Sequence, residues 1–449
     1  FCTPSPCLVR TKFGRVGKKR LACHRSLLGL MLGYVRRGAV RGALSTVRVA
    51  NIGSPARPPP LVQPAPAVQG RRIDLRGLST GNRPSKASKE SWSFAAEIVG
   101  NASLAGKGIR ITAGEVLKVI DLAASYAACV HAGHPTCTTL AFDHVELLVP
   151  ILHGDLLHLD SRVANVGNTS IVVQVVGRKW DLLTRQWIYT LEAFVTFVAL
   201  GPDKRPTIVP TLETGSEEEE ELRAFLQARS LLNEQYEAEQ IAMQQPGALD
   251  KFTPDAVNKG HNEYVRMKDT TLMLRKNFLP RALNHLGTVF GGDLLEWMDS
   301  AAVACASHFT RNPHMITIAM DRVFFHKPIR PTDVLELKAV VAYSRRHCIN
   351  VEVQVDVLTP PFADKSDEKL AINRSHRGRF HVLSLSEAGY KQPVGIGLSV
   401  QDEEERLRYA KASHAFNFWR NQQDTAKSFN RGMYGDGVSH APWGVQLLS

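Results

Sequence analysis

The chain repeats itself at a spacing of 178 residues, and no other feature restricts its fold as strongly. In this register Asp299 aligns with Asp121, and Thr317 aligns with Thr139. The same register, without a gap, aligns further glycine, acidic, proline and apolar positions: Gly292 with Gly114, Asp321 with Asp143, Pro328 with Pro150, Asp333 with Asp155 and Leu337 with Leu159. One register held over this length is not a chance similarity. The sequence therefore predicts two copies of one fold, with function to be sought where the copies differ.

The positive charge of the chain is concentrated near one end. Of the 55 Lys and Arg residues, 14 lie in residues 1–73, which contain no Asp or Glu. The rest of the chain carries 41 basic and 43 acidic side chains, so its near-neutral body does not favour nucleic-acid binding. An Arg-rich segment without acids is typical of a mitochondrial transit peptide. We therefore expect a protein of the mitochondrial matrix, with a cytoplasmic location as the alternative.

Seven cysteines lack the spacing of a metal site or a disulfide framework, and they predict reduced thiols and no bound metal. The sequence also contains no apolar run of the length that spans a bilayer. We expect neither a cofactor nor a membrane span.

The repeat divides the chain into five segments. Residues 1–73 form the basic leader and a Pro-rich linker, and residues 91–205 form the first domain. A linker helix is expected within 206–263, followed by the second domain in 264–392. Residues 393–449 hold a C-terminal helix and a tail. Both of these helices open with a run of glutamates, which the dipole at a helix start favours.

Each copy shows the same order of elements. A helix that is apolar on almost every face comes first, at Gly114–His131 and at Gly292–Phe309, and such a helix is buried. Segments of β-strand composition follow in both copies: Thr138–Val149, Leu156–Val166, Ile171–Trp180 and Trp187–Leu200, then Met315–Phe325, Val334–Tyr343, Ile349–Val357 and Arg379–Leu385. This order predicts an α+β fold in which an antiparallel sheet wraps a long helix.

Two polar features interrupt the apolar helices. Asp299 lies seven residues after Gly292, almost two turns, and so on the same helix face as the glycine. A buried carboxylate is unfavourable without a partner, and one such residue can be purely structural. The repetition at Asp121 favours a functional role for these acids.

The residues before the second helix can bind a polar ligand. Gly291 and Gly292 allow close approach to a helix N-terminus, where backbone N–H groups and the helix dipole stabilise an oxyanion. Close helix packing is the alternative use of such a pair. Asn284 supplies a donor and an acceptor that can hold a water or a carbonyl oxygen, or can simply cap the turn.

The segment Asn284–Gly292, continued by Leu294–Ala302, resembles the acyl-coenzyme A thioesterases of the hotdog fold, in particular those with two hotdog domains in one chain. Thr317–Phe325 and Leu383–Gly389 extend the resemblance, which covers about residues 91–422. It implies two tandem hotdog domains, an acyl-CoA substrate, hydrolysis to free fatty acid and coenzyme A, and assembly into trimers of such chains.

The family pairs an Asn of one hotdog domain with an acid on the central helix of the other. Asn284 and Asp121 match this pattern, and the resemblance implies a base at Asp121 and a water-positioning amide at Asn284. The other pair would join Asp299 to Gly106, which has no amide. One active site per chain is therefore expected, with Asp299 as a relic or a structural residue.

Arg345, Arg346 and Lys327 are candidates for binding the coenzyme A phosphates, because guanidinium and ammonium groups bind phosphate well. Solvated strand ends are the alternative interpretation for these residues.

Two other functions stay open. His308-Phe309 faintly matches a hotdog dehydratase or enoyl-CoA hydratase motif, but it follows the helix that such a motif would precede. A non-catalytic acyl-CoA-binding protein is the second alternative, if the site has decayed.

Overall fold

The computed structural model describes residues 83–182, 184–249, 261–359 and 371–421, all within one compact unit, Gly70–Ser449. Two copies of a helix followed by a wrapped antiparallel sheet are present, as the repeat predicts. The basic leader 1–73 and the tail from residue 422 lie outside the described residues. No helix in the described ranges is both long and apolar enough to cross a membrane.

The first copy contains eight strands and one long helix. Its elements are β1 (Ser85–Ala87), β2 (Ser93–Ile98), α1 (Ala113–Ala132), β3 (Cys137–Phe142), β4 (Val145–Leu147), β5 (Leu156–Val166), β6 (Ser170–Asp181), β7 (Gln186–Ala199) and β8 (Thr211–Glu213). The helix expected within 206–263 follows as α2 (Glu217–Ala242), whose Ser216 accepts a hydrogen bond from Glu219 N at the N-cap.

The second copy has the same plan. Its elements are β9 (Glu263–Arg266), β10 (Leu272–Lys276), α3 (Gly291–Thr310), β11 (Met315–Met320), β12 (Val323–Phe325), β13 (Val334–Ser344), β14 (Cys348–Thr359), β15 (Ala371–Ser384), β16 (Ile396–Ser399) and α4 (Glu403–Asn421).

Two predicted strands are each divided in the structure. Thr138–Val149 contains β3 and β4, and Met315–Phe325 contains β11 and β12. The interruption falls at Asp143 in one copy and at Asp321 in the other, where the backbone N–H still bonds to the neighbouring strand and the carboxylate accepts a hydrogen bond from a side chain. Strands β2 and β10 were not expected, because their residues show no clear alternation.

The divided strands join the two copies into one sheet. Its strand order is β10-β13-β14-β15-β11-β4-β7-β6-β5-β2, with β3 and β12 as a second link. Val145 pairs with Met320, and Phe142 pairs with Val323. These two pairs are equivalent under the 178-residue shift, so the copies are related by an approximate two-fold axis through the junction.

The central helices α1 and α3 lie side by side under this sheet and share one hydrophobic core with it. A Cβ atom on Gly114 would lie 2.6 Å from the Glu296 Cα, and one on Gly292 would lie 2.8 Å from the Lys118 Cα. Only glycine permits this approach. Lys118 adds ion pairs to Asp293 at 2.7 Å and to Glu296 at 3.1 Å across the two helices.

A buried histidine–aspartate cluster lies at the junction of the copies. Asp321 accepts a hydrogen bond from His381 Nε2 at 2.8 Å, and His144 of the first copy lies 3.4 Å away. Burial alone would lower the pKa of His381, but the charge of Asp321 raises it to about 10. The same histidines hold the pKa of Asp321 well below its usual range against the effect of burial.

This cluster predicts a pH-dependent stability. A histidine whose pKa is raised on folding stabilises the native state fully below its unfolded pKa of about 6.5, and the contribution is lost as the pH rises through about 10. We expect the free energy of unfolding to fall between pH 7 and pH 10 more steeply in the natural protein than in His381→Gln. Urea titrations at several pH values measure this difference, and parallel curves would contradict it.

Candidate active site

The Asp121 carboxylate of α1 reaches the start of α3 in the other copy. Its Oδ2 accepts a hydrogen bond from the Gly292 N–H at 2.8 Å, and its Oδ1 accepts one from the Thr139 hydroxyl at 2.9 Å. The side chain is completely buried. The acid of one helix therefore faces the glycine turn of the other helix, and the site contains residues of both copies.

The surroundings of Asp121 tune its protonation. Burial raises the pKa of Asp121 to about 7, although the hydrogen bonds from Thr139 and Gly292 stabilise the carboxylate. The negative charge of Asp293 adds to the upward shift. A carboxyl group with a pKa near neutrality can take a proton from water at physiological pH and release it again.

Asn284 lies in the loop that leads to Gly291 and α3. Its Oδ1 accepts hydrogen bonds from the Leu286 N–H at 3.0 Å, from the Thr288 N–H at 3.2 Å and from the Thr288 hydroxyl at 3.1 Å. The amide oxygen therefore caps its own turn, which was one of the two expected roles. Among the described residues, the Nδ2 amide group has no acceptor, so it is the end that can donate to a ligand.

The two glycines at the start of α3 have different environments. The Gly292 N–H is engaged by Asp121, whereas the Gly291 N–H has no acceptor among the residues that the structure describes. A Cβ atom on Gly291 would lie 2.9 Å from the Asp121 Oδ2. Gly291 therefore leaves space beside the carboxylate and an N–H group that can bind an oxyanion.

The three basic candidates for the coenzyme A phosphates lie in different places. Lys327 is exposed and follows Phe325, whose ring would lie 3.5 Å from a Cβ atom on Gly291. The Arg345 guanidinium lies over the Phe416 ring of α4, at 4.5 Å from its centre. Arg346 is exposed in the same β13–β14 hairpin. The structure therefore places Arg345 against α4, whereas Lys327 follows the segment that lies beside Gly291.

Asp299, the acid of the second copy, has the symmetry-equivalent environment, because it reaches from α3 to the start of α1. Asp299 Oδ2 accepts a hydrogen bond from the Gly114 N–H at 2.8 Å, and burial raises the pKa of Asp299 to about 6. Gly106, at the position equivalent to Asn284, is exposed and has a φ of 71°. Asn101 does not replace the amide, because it lies five positions before Gly106 in an exposed turn.

Thr139 is a site residue that the sequence argument did not single out. Its hydroxyl donates to Asp121, and Thr317 occupies the equivalent position beside Asp299. The signal was present, because the two threonines align in the same register as the two acids. A threonine on a strand has many other uses, however, and only the fold brings this one to the carboxylate.

Comparison with known proteins agrees with this arrangement. The family model for the thioesterase superfamily matches residues 112–182 and 286–359. An uncharacterized acyl-CoA thioester hydrolase of Zymomonas mobilis is 32% identical over 103 residues, which are 23% of this chain and 68% of that protein. Acyl-coenzyme A thioesterase 11 of Mus musculus is 26% identical over 306 residues, 68% of this chain and 49% of its own length.

Among solved structures, an acyl-CoA hydrolase of Staphylococcus aureus, crystallised with butyryl coenzyme A and coenzyme A, is 26% identical. It covers 35% of this chain and 94% of its own, with a TM-score of 0.32.

Two central helices, each wrapped by an antiparallel sheet and each carrying an acid that reaches the other's first turn, define a double-hotdog protein. The matched segments contain Asp121 and Asp299, one in each copy. The chain belongs to the thioesterase superfamily, and it spans about half the length of the mouse relative (49%). The predicted fold class and the resemblance to double-hotdog acyl-CoA thioesterases are confirmed.

Proposed function

We propose that the chain hydrolyses acyl-CoA thioesters to free fatty acid and coenzyme A, at one site per chain formed by Asp121 and Asn284. The observation that carries this proposal is the buried Asp121 carboxylate at the glycine turn of the other domain, with a pKa near 7. The acyl-CoA thioester hydrolases among its relatives support the choice of substrate.

In the proposed reaction, Asp121 removes a proton from a water molecule that the Asn284 amide holds. The water oxygen attacks the thioester carbonyl carbon, and the carbonyl oxygen becomes an oxyanion that accepts a hydrogen bond from the Gly291 N–H. The C–S bond then breaks. The proton on Asp121 passes to the leaving sulfur, which restores the carboxylate and releases coenzyme A as a thiol. Direct attack by the Asp121 carboxylate, through an anhydride, is the alternative route.

Thiol release from acyl-CoA substrates of increasing chain length tests the proposed activity on the full chain. We expect turnover of at least one chain length. A folded protein that binds acyl-CoA and releases no thiol from any substrate would favour the non-catalytic acyl-CoA-binding function instead. The hydratase alternative is less well supported, because His308 lies exposed in the last turn of α3, far along the helix from Gly291.

The pKa of Asp121 predicts the pH dependence of the reaction. The base acts as the carboxylate, and a pKa raised to about 7 leaves the group mostly protonated below that pH. We expect kcat/KM to rise about tenfold per pH unit up to about pH 7 and to level off above it. Initial rates between pH 5 and pH 9 measure this profile. A rate already at its plateau at pH 5 would contradict the role of Asp121 as the base.

Oligomeric state and location are further parts of the proposal. We propose a trimer of double-hotdog chains, which light scattering of the full chain tests against a monomer or dimer. We also propose a matrix location, supported by the 14 basic residues and absent acids of residues 1–73. A reporter protein carrying residues 1–73 is expected in mitochondria, and a reporter that stays in the cytoplasm would contradict this location.

A further inference from the structure

A cysteine, a histidine and an aspartate meet on the face of the sheet opposite the central helices. Cys348 is the first residue of β14, and its neighbours Ile349 and Val351 belong to the core around α1 and α3. Because alternate residues of a strand point to opposite faces, Cys348 points away from that core. Its thiol is a side-chain hydrogen-bond partner of His381 on β15, which also bonds to Asp321. We call these three residues the Cys348 cluster.

The order of groups in the Cys348 cluster is that of a covalent catalyst. Such sites place a nucleophile beside an acid–base group, which a third side chain orients. The Asp321 Oδ1 lies 2.8 Å from the His381 Nε2 and holds the ring, so Nδ1 is the nitrogen that faces the thiol. His381 and Asp321 are buried, whereas Cys348 is partly exposed. A reagent therefore reaches the sulfur more readily than the two groups that support it.

The charges around the Cys348 sulfur are positive. Burial alone would lower the pKa of His381, but the charge of Asp321 raises it to about 10, so the ring is an imidazolium at neutral pH. The Lys391 ammonium also interacts electrostatically with Cys348. The thiolate is the nucleophilic form of cysteine, and surroundings with His⁺ or Lys are typical of reactive cysteines.

The first copy does not carry the same three residues. In the strand register of the two sheets, Ser170 is the equivalent of Cys348, and Thr196 is the equivalent of His381. Only the acid is common to both copies, as Asp143 in the first. The fold itself therefore does not require a thiol and an imidazole at these positions, and they are a distinct feature of the second copy.

Apolar side chains surround the Cys348 sulfur on one side. Ile318, Leu383 and Leu385 form a small buried cluster, and Cys348 packs against it. A hydrocarbon group bound to the sulfur gains apolar contacts there. We propose that Cys348 accepts an acyl group from acyl-CoA and holds it as a thioester, at a modification site separate from the Asp121 site. The choice of acyl-CoA as the donor rests on the proposed function.

In the proposed transfer, the Cys348 thiolate attacks the thioester carbonyl carbon of acyl-CoA. The bond from that carbon to the coenzyme A sulfur breaks, and the leaving sulfur takes the proton from the His381 Nδ1. Coenzyme A leaves as a thiol, and His381 then takes a proton from the solvent. One acyl–sulfur bond replaces another, so the transfer requires no oxidant or reductant.

Mass spectrometry of the full chain tests this site, with butyryl-CoA as the probe. The Asp121→Asn background is used so that the donor is not consumed by hydrolysis. We expect one butyryl group per chain, located on Cys348 by peptide mapping, removed by neutral hydroxylamine and absent from Cys348→Ser. Cys129→Ser is the matched control, because Cys129 is the other partly exposed cysteine in the described ranges, and it should keep the label. A chain without a butyryl group on Cys348 would overturn the proposal.

The rate of labelling tests the role of the imidazole. We expect His381→Gln to slow the acylation of Cys348 about 10²-fold, because an amide cannot give a proton to the leaving sulfur. Since His381 is buried, the natural residue is also compared with a free thiol. Cys348 is expected to react with butyryl-CoA about 10²-fold faster than glutathione at pH 7. A rate equal to that of glutathione, or an unchanged rate in folded His381→Gln, would overturn the proposal.

Failure of the acylation and failure of the proposed hydrolysis give different results. Acylation of Cys348 releases no more than one coenzyme A per chain, whereas hydrolysis releases coenzyme A continuously. A natural chain that labels Cys348 without continuous release would support this site and contradict the proposed hydrolysis. Continuous release with an unlabelled Cys348 would support hydrolysis and overturn the acylation.

Discussion

Asp121→Asn is expected to lower kcat/KM for acyl-CoA hydrolysis by about 10²–10⁴-fold, because an amide cannot take the proton of the attacking water. The substituted amide oxygen can still accept the hydrogen bond from the Gly292 N–H, and the amide NH2 can donate to the Thr139 hydroxyl oxygen, so the helix contact should persist. Thiol release measures the effect, and thermal unfolding of the same sample checks that the protein is folded.

Asp299→Asn is the matched control, since it makes the same change at the equivalent position of α3. We expect this variant to keep most of the activity, because position 106 has no amide to complete a second active site. The opposite pattern, with activity lost in Asp299→Asn and kept in Asp121→Asn, would move the reaction to the other acid. Similar losses in both variants would show that both sites contribute.

Arg229→Ala is expected to destabilise the chain by about 3 kcal/mol, because it removes the nearest cation from the largely buried Asp143 carboxylate. The Arg229 Nε lies 2.5 Å from the Asp143 Oδ2, and its Nη2 donates to the His144 carbonyl at 3.0 Å. The charge of Arg229 also holds the pKa of Asp143 low against the effect of burial. Urea unfolding at pH 7 measures the change in the free energy of unfolding.

Arg223→Ala provides the control on the same helix, since Arg223 is exposed, and its effect should stay within about 0.5 kcal/mol. The double variant Arg229→Ala/Asp143→Ala should recover part of the lost stability, because it removes the unpaired charge as well. A loss below 1 kcal/mol in Arg229→Ala alone would show that α2 does not depend on this pair.

The repeat allows much of the fold to be predicted from the sequence. The central helices and most strands lie within a few residues of their predicted places, because the apolar pattern of a buried helix and the residue types of strands are local properties. The edge strands β2 and β10 escaped prediction. Their pairing depends on the neighbours β5 and β13, and their own residues carry little pattern.

The candidate site was predicted in part. The two acids and the glycine turn were singled out from their repetition and spacing, whereas the amide of Asn284 and the incomplete pair at Gly106 came from the family resemblance. Thr139 and Arg229 were not found, because each acts through a tertiary contact, with a partner 18 positions away for Thr139 and 86 positions away for Arg229. The place of Arg345 over Phe416 was equally hidden, since it needs the packing of α4.

The sequence by itself determined that one fold occurs twice, that each copy buries an acid in its central helix, and that only one copy keeps the amide. These are statements about residue identity in a common register. Only the tertiary structure decided that each acid meets the glycine turn of the other helix, and that space remains beside Asp299. Hydrogen bonds and cavities depend on distances between residues more than 170 positions apart, and no local pattern in the chain records those distances.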